Sequence, residues 1–364
     1  MILHVIKSNI YSGAENVVCQ IIKGLSNREE FIYMAPHGPI EDKLRSIGLY
    51  HCYRGIDSLS VKEIIKAVDE LHPDVVHAHD FTASVLCGFA LKGKVPVVSH
   101  IHCNPLWLKN PLHPNSISYV FTSIYFKQII AVSDAIAREY VYSKQLKCPI
   151  TTLGNPFSAQ QVVDMAREGL LAETKTLDAD LNPVVDVKFQ SDILYVGRFN
   201  QAKNPLGAIK IFEALPDKEG LVFRMIGDGE LLQQCKDYVA SHGLSQYIFF
   251  EGFQENVYKY MAGTNLLLMP SIFEGFGLVA LEAMALGNPV ICSGVGGLTD
   301  IVTSDCGYIC NSTDDYVAAI EELRCSPKKY TAKAEAAHDR AAKFSNLHTY
   351  CDTMEQIYNN LSGK

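Results

Sequence analysis

Two carboxylates, Glu274 and Glu282, stand eight positions apart in the stretch 270–290, PSIFEGFGLVALEAMALGNPV. Gly275 and Gly277 lie between them in a turn after the apolar run 266–269, and a helical pattern follows over 278–285. A helix beginning there leaves its first backbone N–H groups without intrahelical acceptors. They point into the turn, which suits an anion such as phosphate. Glu274 precedes that helix and Glu282 lies about one turn into it. The two can therefore work as an acid/base pair or reach different parts of one ligand. A buried corner carrying two solvated glutamates fits the same local pattern, so the two readings stand side by side.

Groups of opposite sign come earlier. Arg198 and Lys203 follow the apolar run 193–196 and the turn residue Gly197. A guanidinium fork and an ammonium point charge in one strand-to-helix turn suit a diphosphate. Gly227-Asp228-Gly229 follows the next apolar run, 221–226, as a tight turn at the same edge. Three features that favour anions, each at the end of an expected strand, move the reading from corner packing towards a ligand.

In the first half, Ser12-Gly13-Ala14-Glu15 has the spacing of a capping box ahead of an amphipathic helix over 14–25. Gly13 lets a ligand approach that helix N-terminus; a well-capped structural turn reads equally well. Histidines cluster at two later strand ends, as His77-x-His79-Asp80 and His100-x-His102-Cys103. Alternate residues of a strand share a face, so each pair shares a side. The spacing is not that of a structural zinc site, and no metal is expected. One histidine facing a ligand and the others buried is the preferred reading. The loop 103–115, CNPLWLKNPLHPN, has Leu106, Trp107, Leu108 and Leu112 around Lys109. It forms either an apolar lip for lipid or acceptor or a loop packed on its own domain. Asp178-Ala-Asp180 resembles a metal-binding pair but falls in a polar connector and reads as solvated.

These residues need a scaffold, and the pattern supplies one. Apolar runs at 2–7, 31–34, 49–53, 75–79, 97–102, 128–132 and 150–153 alternate with helical patterns such as 61–71 and 134–142. A second series, at 193–196, 221–226, 247–250, 266–269 and 289–292, begins after a helix and polar connector over 158–190. Such alternation predicts parallel sheets covered by helices on both faces, with ligands beyond the strand C-termini. The chain is mainly helical after Thr313, and a last amphipathic segment at 347–361 is long enough to cross a domain boundary.

Taken together, Ser12-Gly13-Ala14-Glu15, Gly197-Arg198 with Lys203, Gly227-Asp228-Gly229, Glu251-Gly252-Phe253, and Glu274-Gly275-Phe276-Gly277-Leu278 through Glu282 to Gly287-Asn288-Pro289-Val290 resemble retaining family-4 glycosyltransferases of the GT-B fold, the type that builds bacterial surface polysaccharides. The motifs run in family order through nearly the whole chain. The resemblance implies two Rossmann-like domains facing a central cleft: an acceptor domain over 1–157, a linker over 158–190, a nucleotide-sugar domain over 191–345, and a C-terminal helix, 346–364, returning to the first. By position it assigns Arg198 and Lys203 to the donor diphosphate, with Gly13 approaching it, and Glu282 to the ribose hydroxyls. Glu274 and the backbone N–H groups of Phe276, Gly277 and Leu278 go to the sugar and phosphate. Gly227 falls at the donor edge, Phe253 borders the base, and His102 lies beside the transferred sugar. The donor, a UDP-sugar by family frequency, is a substrate; no cofactor is implied. Ser12 stands where the family has a first glycine, and Asn155-Pro156 where Asn-Gly is common.

The expected activity is transfer of a hexose or N-acetylhexosamine to a lipid-linked or glycan acceptor. A nucleotide-sugar epimerase and a silent sugar-binding subunit are the alternatives, and the presence of both glutamates and both cations speaks against the silent one. With 364 residues, 48% apolar and 20% charged, the chain has an ordinary globular composition. Eleven cysteines without framework spacing fit a reducing cytoplasm. No run is long enough to span a bilayer, so membrane contact, if made, is peripheral at the inner face. Residues 1–157 carry 15 basic and 13 acidic side chains and the remainder 17 and 27. An acidic second half speaks against a nucleic-acid groove there.

Overall fold

The computed structural model describes residues 1–173, 176–178 and 183–363. Asp180, the second member of the pair read as solvated, lies outside the described residues. The chain forms two compact units, Met1–Pro156 together with Asn346–Lys364, and Phe157–Ser345.

The first unit is built on seven parallel strands: β1 Ile2–Val5, β2 Phe31–Pro36, β3 Tyr53–Ile56, β4 Val75–His79, β5 Val97–Ile101, β6 Phe126–Ala131 and β7 Ile150–Thr152. Their order is β3-β2-β1-β4-β5-β6-β7. All residues of β1, β4 and β5 are buried, because helices cover both faces of a parallel sheet. That is why their sequences read as unbroken runs. The helix Gly13–Leu25 starts from the expected capping box, with Glu15 Oε2 accepting the Ser12 N–H at 3.1 Å. The helix Val61–Leu71 starts where Ser60 Oγ accepts the Glu63 N–H at 3.2 Å.

The second unit carries β8 Ser191–Val196, β9 Phe223–Ile226, β10 Ile248–Gly252, β11 Thr264–Met269, β12 Val290–Ser293 and β13 Gly307–Cys310. All are parallel, in the order β10-β9-β8-β11-β12-β13. The last helix, Leu347–Ser362, returns to the first unit. It buries Tyr350, Met354 and Tyr358 in that unit's core, and the Tyr358 hydroxyl meets His77 Nδ1 at 2.7 Å.

Three expectations need correction. Within 158–190, expected as a linker, the helix Ala159–Glu173 belongs to the second unit: it buries Val162, Ala166 and Leu170, and Lys259 holds Glu173 at 2.9 Å. The strand expected at 49–53 lies later, at Tyr53–Ile56, because Tyr50–Cys52 form a single tight helical turn. β13 has no counterpart among the expected strands. It is a four-residue edge strand, too short for its apolar pattern to register. Among the described residues no helix is long and apolar enough to cross a membrane.

Candidate functional site

In the second unit the strand order reverses between β8 and β11, with β9 and β10 on one side and β12 and β13 on the other. Open parallel sheets bind ligands at such a point, beyond the strand C-termini, because the connections leave in opposite directions and open a crevice. The loops after β8 and β11 line it. Ile272 N–H donates to the Ala202 carbonyl at 2.8 Å, and Asn204 Nδ2 donates to the Pro270 carbonyl at 3.0 Å, stitching the two loops together. Asn204 also caps the helix Pro205–Glu213, accepting the Gly207 N–H at 3.1 Å from a left-handed conformation, φ +51°. These bonds fix where Lys203 emerges, and its ammonium forms an ion pair with Glu274.

Arg198 is exposed, and its guanidinium makes no hydrogen bond or ion pair among the described residues. The Tyr195 hydroxyl holds its carbonyl at 3.2 Å, so the backbone is fixed while the charge is unspent. The helix Leu278–Ala285 begins at Gly277, which adopts φ +103°, a conformation suited to glycine. The N–H groups of Phe276, Gly277 and Leu278 make no hydrogen bond among the described residues. One free cation, one paired cation and three open donors therefore meet at the reversal point. That arrangement can hold a dianionic group without further protein charge.

Glu282 sits one turn into this helix, and its Oε1 accepts from the Tyr258 hydroxyl at 3.2 Å. Burial pushes its carboxyl up to about 7, opposed by that hydrogen bond. Phe253, just past β10, is 76% exposed, an aromatic face available for stacking. Gly227 has a structural duty as well. A Cβ there would lie 2.0 Å from the Gly197 carbonyl oxygen, so backbone meets backbone where β8 and β9 end. Glu251, part of the Glu-Gly-Phe motif, is tied to Arg224.

A glycine loop after β12 was not among the sequence candidates, although Gly294, Gly296 and Gly297 stand close together in Ser-Gly-Val-Gly-Gly. Gly297 N–H donates to the Gly275 carbonyl at 3.2 Å, and a Cβ at Gly297 would fall 2.4 Å from the Phe276 carbonyl oxygen. This loop thus braces the 274–278 turn from behind.

The first unit reverses its strand order between β1 and β4. Gly13 follows β1; it is exposed, and nothing lies within 4 Å of where its Cβ would be. Asp80 follows β4 at φ +65°, a conformation uncommon for a residue with a side chain. One Asp80 oxygen accepts the His102 N–H at 3.0 Å, and burial raises its carboxyl to about 6. The expected histidine pairs converge and gain a third partner, His4 of β1, whose lone polar side chain in a buried strand was the overlooked signal. His4 Nδ1 lies 2.9 Å from His79 Nε2, and His79 Nδ1 lies 2.9 Å from His102 Nε2. Burial lowers His102 to about 3, so the imidazole is neutral near neutral pH. In the loop 103–115, Leu108 is buried and Trp107 packs on Phe81 at 4.8 Å, while Leu106 and Leu112 point outward.

A family model described as Glycosyl transferases group 1 matches residues 185–340, and one described as Glycosyltransferase Family 4 matches residues 11–161. The chain is 27% identical over 300 residues to a glycogen synthase of Mycobacterium tuberculosis, a match covering 79% of this chain and 68% of the relative. It is 24% identical over 385 residues to an Escherichia coli UDP-Gal:alpha-D-GlcNAc-diphosphoundecaprenol alpha-1,3-galactosyltransferase, across 98% of this chain and 96% of the other. The crystal structure of Anabaena HepE with UDP-glucose superposes with a TM-score of 0.80 at 19% identity, covering 99% of both chains.

The raised carboxyl of Glu282 carries a prediction for the ligand-free chain. A folded-state value of about 7 against an unfolded 4.5 means that its contribution to stability is complete below 4.5 and is lost as pH rises through 7. Glu282→Gln should therefore melt at the wild-type temperature near pH 4.5 and above it at pH 8. Identical melting at both pH values would contradict the buried carboxyl.

Proposed function

Since the chain belongs to the glycosyltransferases that these two family models describe and has the GT-B fold, we propose that it moves a hexose or N-acetylhexosamine from a UDP-sugar, with retention of configuration, to a lipid-linked or glycan acceptor in surface polysaccharide synthesis. The names of the E. coli galactosyltransferase and of the HepE complex support the UDP-linked donor, and the first also supports a lipid-linked acceptor. The observation that carries the reading is the unspent Arg198 charge beside Lys203 and three open N–H donors at the reversal point of the second sheet.

Breaking the sugar–phosphate bond leaves its electron pair, and negative charge, on the nucleoside diphosphate. Fixed donors and cations aimed at that charge lower the barrier because they need no reorganisation as it develops. Arg198, Lys203 and the helix N-terminus at Leu278 take this role, with no divalent ion required there. The acceptor hydroxyl attacks the anomeric carbon from the face that the phosphate leaves, and its proton passes to the departing phosphate oxygen. Glu274 is poorly suited to be a covalent nucleophile, since its carboxylate is already held by Lys203. Its part is to receive sugar hydroxyls while keeping Lys203 in place. Glu282 accepts the ribose hydroxyls, Phe253 stacks on the base, and Gly227 keeps the loop edge open to the donor.

Arg198→Ala removes a charge-assisted hydrogen bond, about 1.5–3 kcal/mol of transition-state binding. Acceptor-dependent release of UDP should fall roughly 10- to 150-fold in kcat/KM. Wild-type kinetics in that variant would overturn the diphosphate assignment, and sugar turnover without acceptor would favour an epimerase. Leu106 and Leu112, 59% and 83% exposed, make the loop 103–115 the surface for a peripheral contact with the membrane that bears a lipid acceptor. The chain should co-sediment with anionic vesicles, and Leu106→Ser/Leu112→Ser should reduce the bound fraction. Equal sedimentation with and without vesicles would remove the membrane from the proposal.

A further inference from the structure

The first unit gathers five histidines on three neighbouring strands: His4 on β1, His77 and His79 on β4, His100 on β5 and His102 just beyond it. The strand register places His4 opposite His77 and His79 opposite His100. Such a concentration is expensive for a core. A neutral imidazole has one N–H to donate and one lone pair to satisfy, and each buried nitrogen left alone carries a desolvation cost. Here His4 Nε2, His77 Nε2 and both nitrogens of His100 are buried without a hydrogen-bond partner. Ordinary packing does not account for a buried histidine with neither nitrogen satisfied.

We propose that His79, His100 and His102 form a three-imidazole site for a divalent first-row transition metal ion of the zinc type. One ring nitrogen from each of the three lies within 4.8 Å of the other two. A tetrahedral ion bound at about 2.0–2.1 Å from each nitrogen sets the nitrogens about 3.3–3.4 Å apart, so the closest pair opens slightly and any wider pair draws in, by small rotations about the side-chain bonds. The two nitrogens nearest each other, His79 Nδ1 and His102 Nε2, are 2.9 Å apart and share one proton, and the ion takes that position.

The proton has somewhere to go. When His79 binds through Nδ1 it carries its proton on Nε2, 2.9 Å from His4 Nδ1, which accepts it. His4 then does what an outer partner does for a metal-bound imidazole, fixing its tautomer and ring orientation. The overlapping trio His4, His77 and His79 also satisfies the distance condition. All three of its members are buried, however, and His77 is committed to the Tyr358 hydroxyl at 2.7 Å. His102 is only partly buried, which puts the preferred trio nearer the surface. Asp80 supplies negative charge at the rim, where one of its oxygens holds the His102 N–H at 3.0 Å. Imidazole-only ligation favours zinc, nickel or copper over magnesium or calcium, and three protein ligands leave a fourth position for solvent or a ligand atom. His102 is also the histidine that the family resemblance sets beside the transferred sugar, and the test of the metal does not depend on transferase activity.

The whole chain, stripped with a chelator, is titrated with Co2+ and followed by visible absorption. One equivalent should bind with the intense bands of four-coordinate cobalt, and Zn2+ should displace it. His100→Leu should lose those bands, while His348→Ala, at an exposed position of the last helix, should keep them. If His100→Leu does not fold, as judged by circular dichroism, His102→Gln at the partly exposed rim carries the same expectation. Absence of four-coordinate cobalt in the wild-type chain, or unchanged bands in a folded His100→Leu or His102→Gln chain, overturns the proposal.

Discussion

Each unit depends on one topological constraint: a parallel sheet whose strand order reverses at its centre. At β8 and β11 the two central loops leave in opposite directions, and the space between their roots cannot be filled by either connection. The chain then has to hold two loop ends side by side without closing that space. It does so with backbone. Gly197 and Gly227 pack carbonyl against Cα, Gly297 packs against the 275–276 carbonyls, and two hydrogen bonds join the β8 and β11 loops. Side chains at these glycine positions would push the loops apart and move Lys203 and the 276–278 donors out of register.

Charge is distributed over that frame unevenly. Lys203 is neutralised by Glu274 inside the crevice, whereas Arg198 points into solvent with its charge unspent. Glu282 adds a pH-sensitive element, because burial raises its carboxyl to about 7. The first unit uses the equivalent edge differently. There, buried neutral imidazoles replace fixed charge, and one of them, His102, reaches the partly open rim.

The elements that carry the site were legible because their signals are local. The capping box at Ser12, unbroken apolar runs in central strands, and a glycine ahead of the helix at Leu278 all follow from short-range physics. The two edge strands β3 and β13 were misplaced or missed, since a half-buried strand of four residues has no clear period. The helix within 158–190 was expected, but the whole stretch was assigned to a linker, although Val162, Ala166 and Leu170 bury a stripe of that helix. In the site, residue types gave Arg198, Lys203, Glu274 and Glu282. The Lys203–Glu274 pair joins positions 71 residues apart, and the approach of His4 to His79 depends on the β1–β4 register. Neither pairing can be read from spacing along the chain.

In the proposed function most of the donor's binding energy comes from its diphosphate, held by protein charge at the second unit's reversal point. Calorimetric titration with UDP and UMP, both in excess chelator, measures that claim directly. UDP is predicted to bind at least about tenfold more tightly than UMP, a difference of about 1.4 kcal/mol for the second phosphate. Equal affinity for the two nucleotides, or UDP binding that vanishes without a divalent ion, would contradict it.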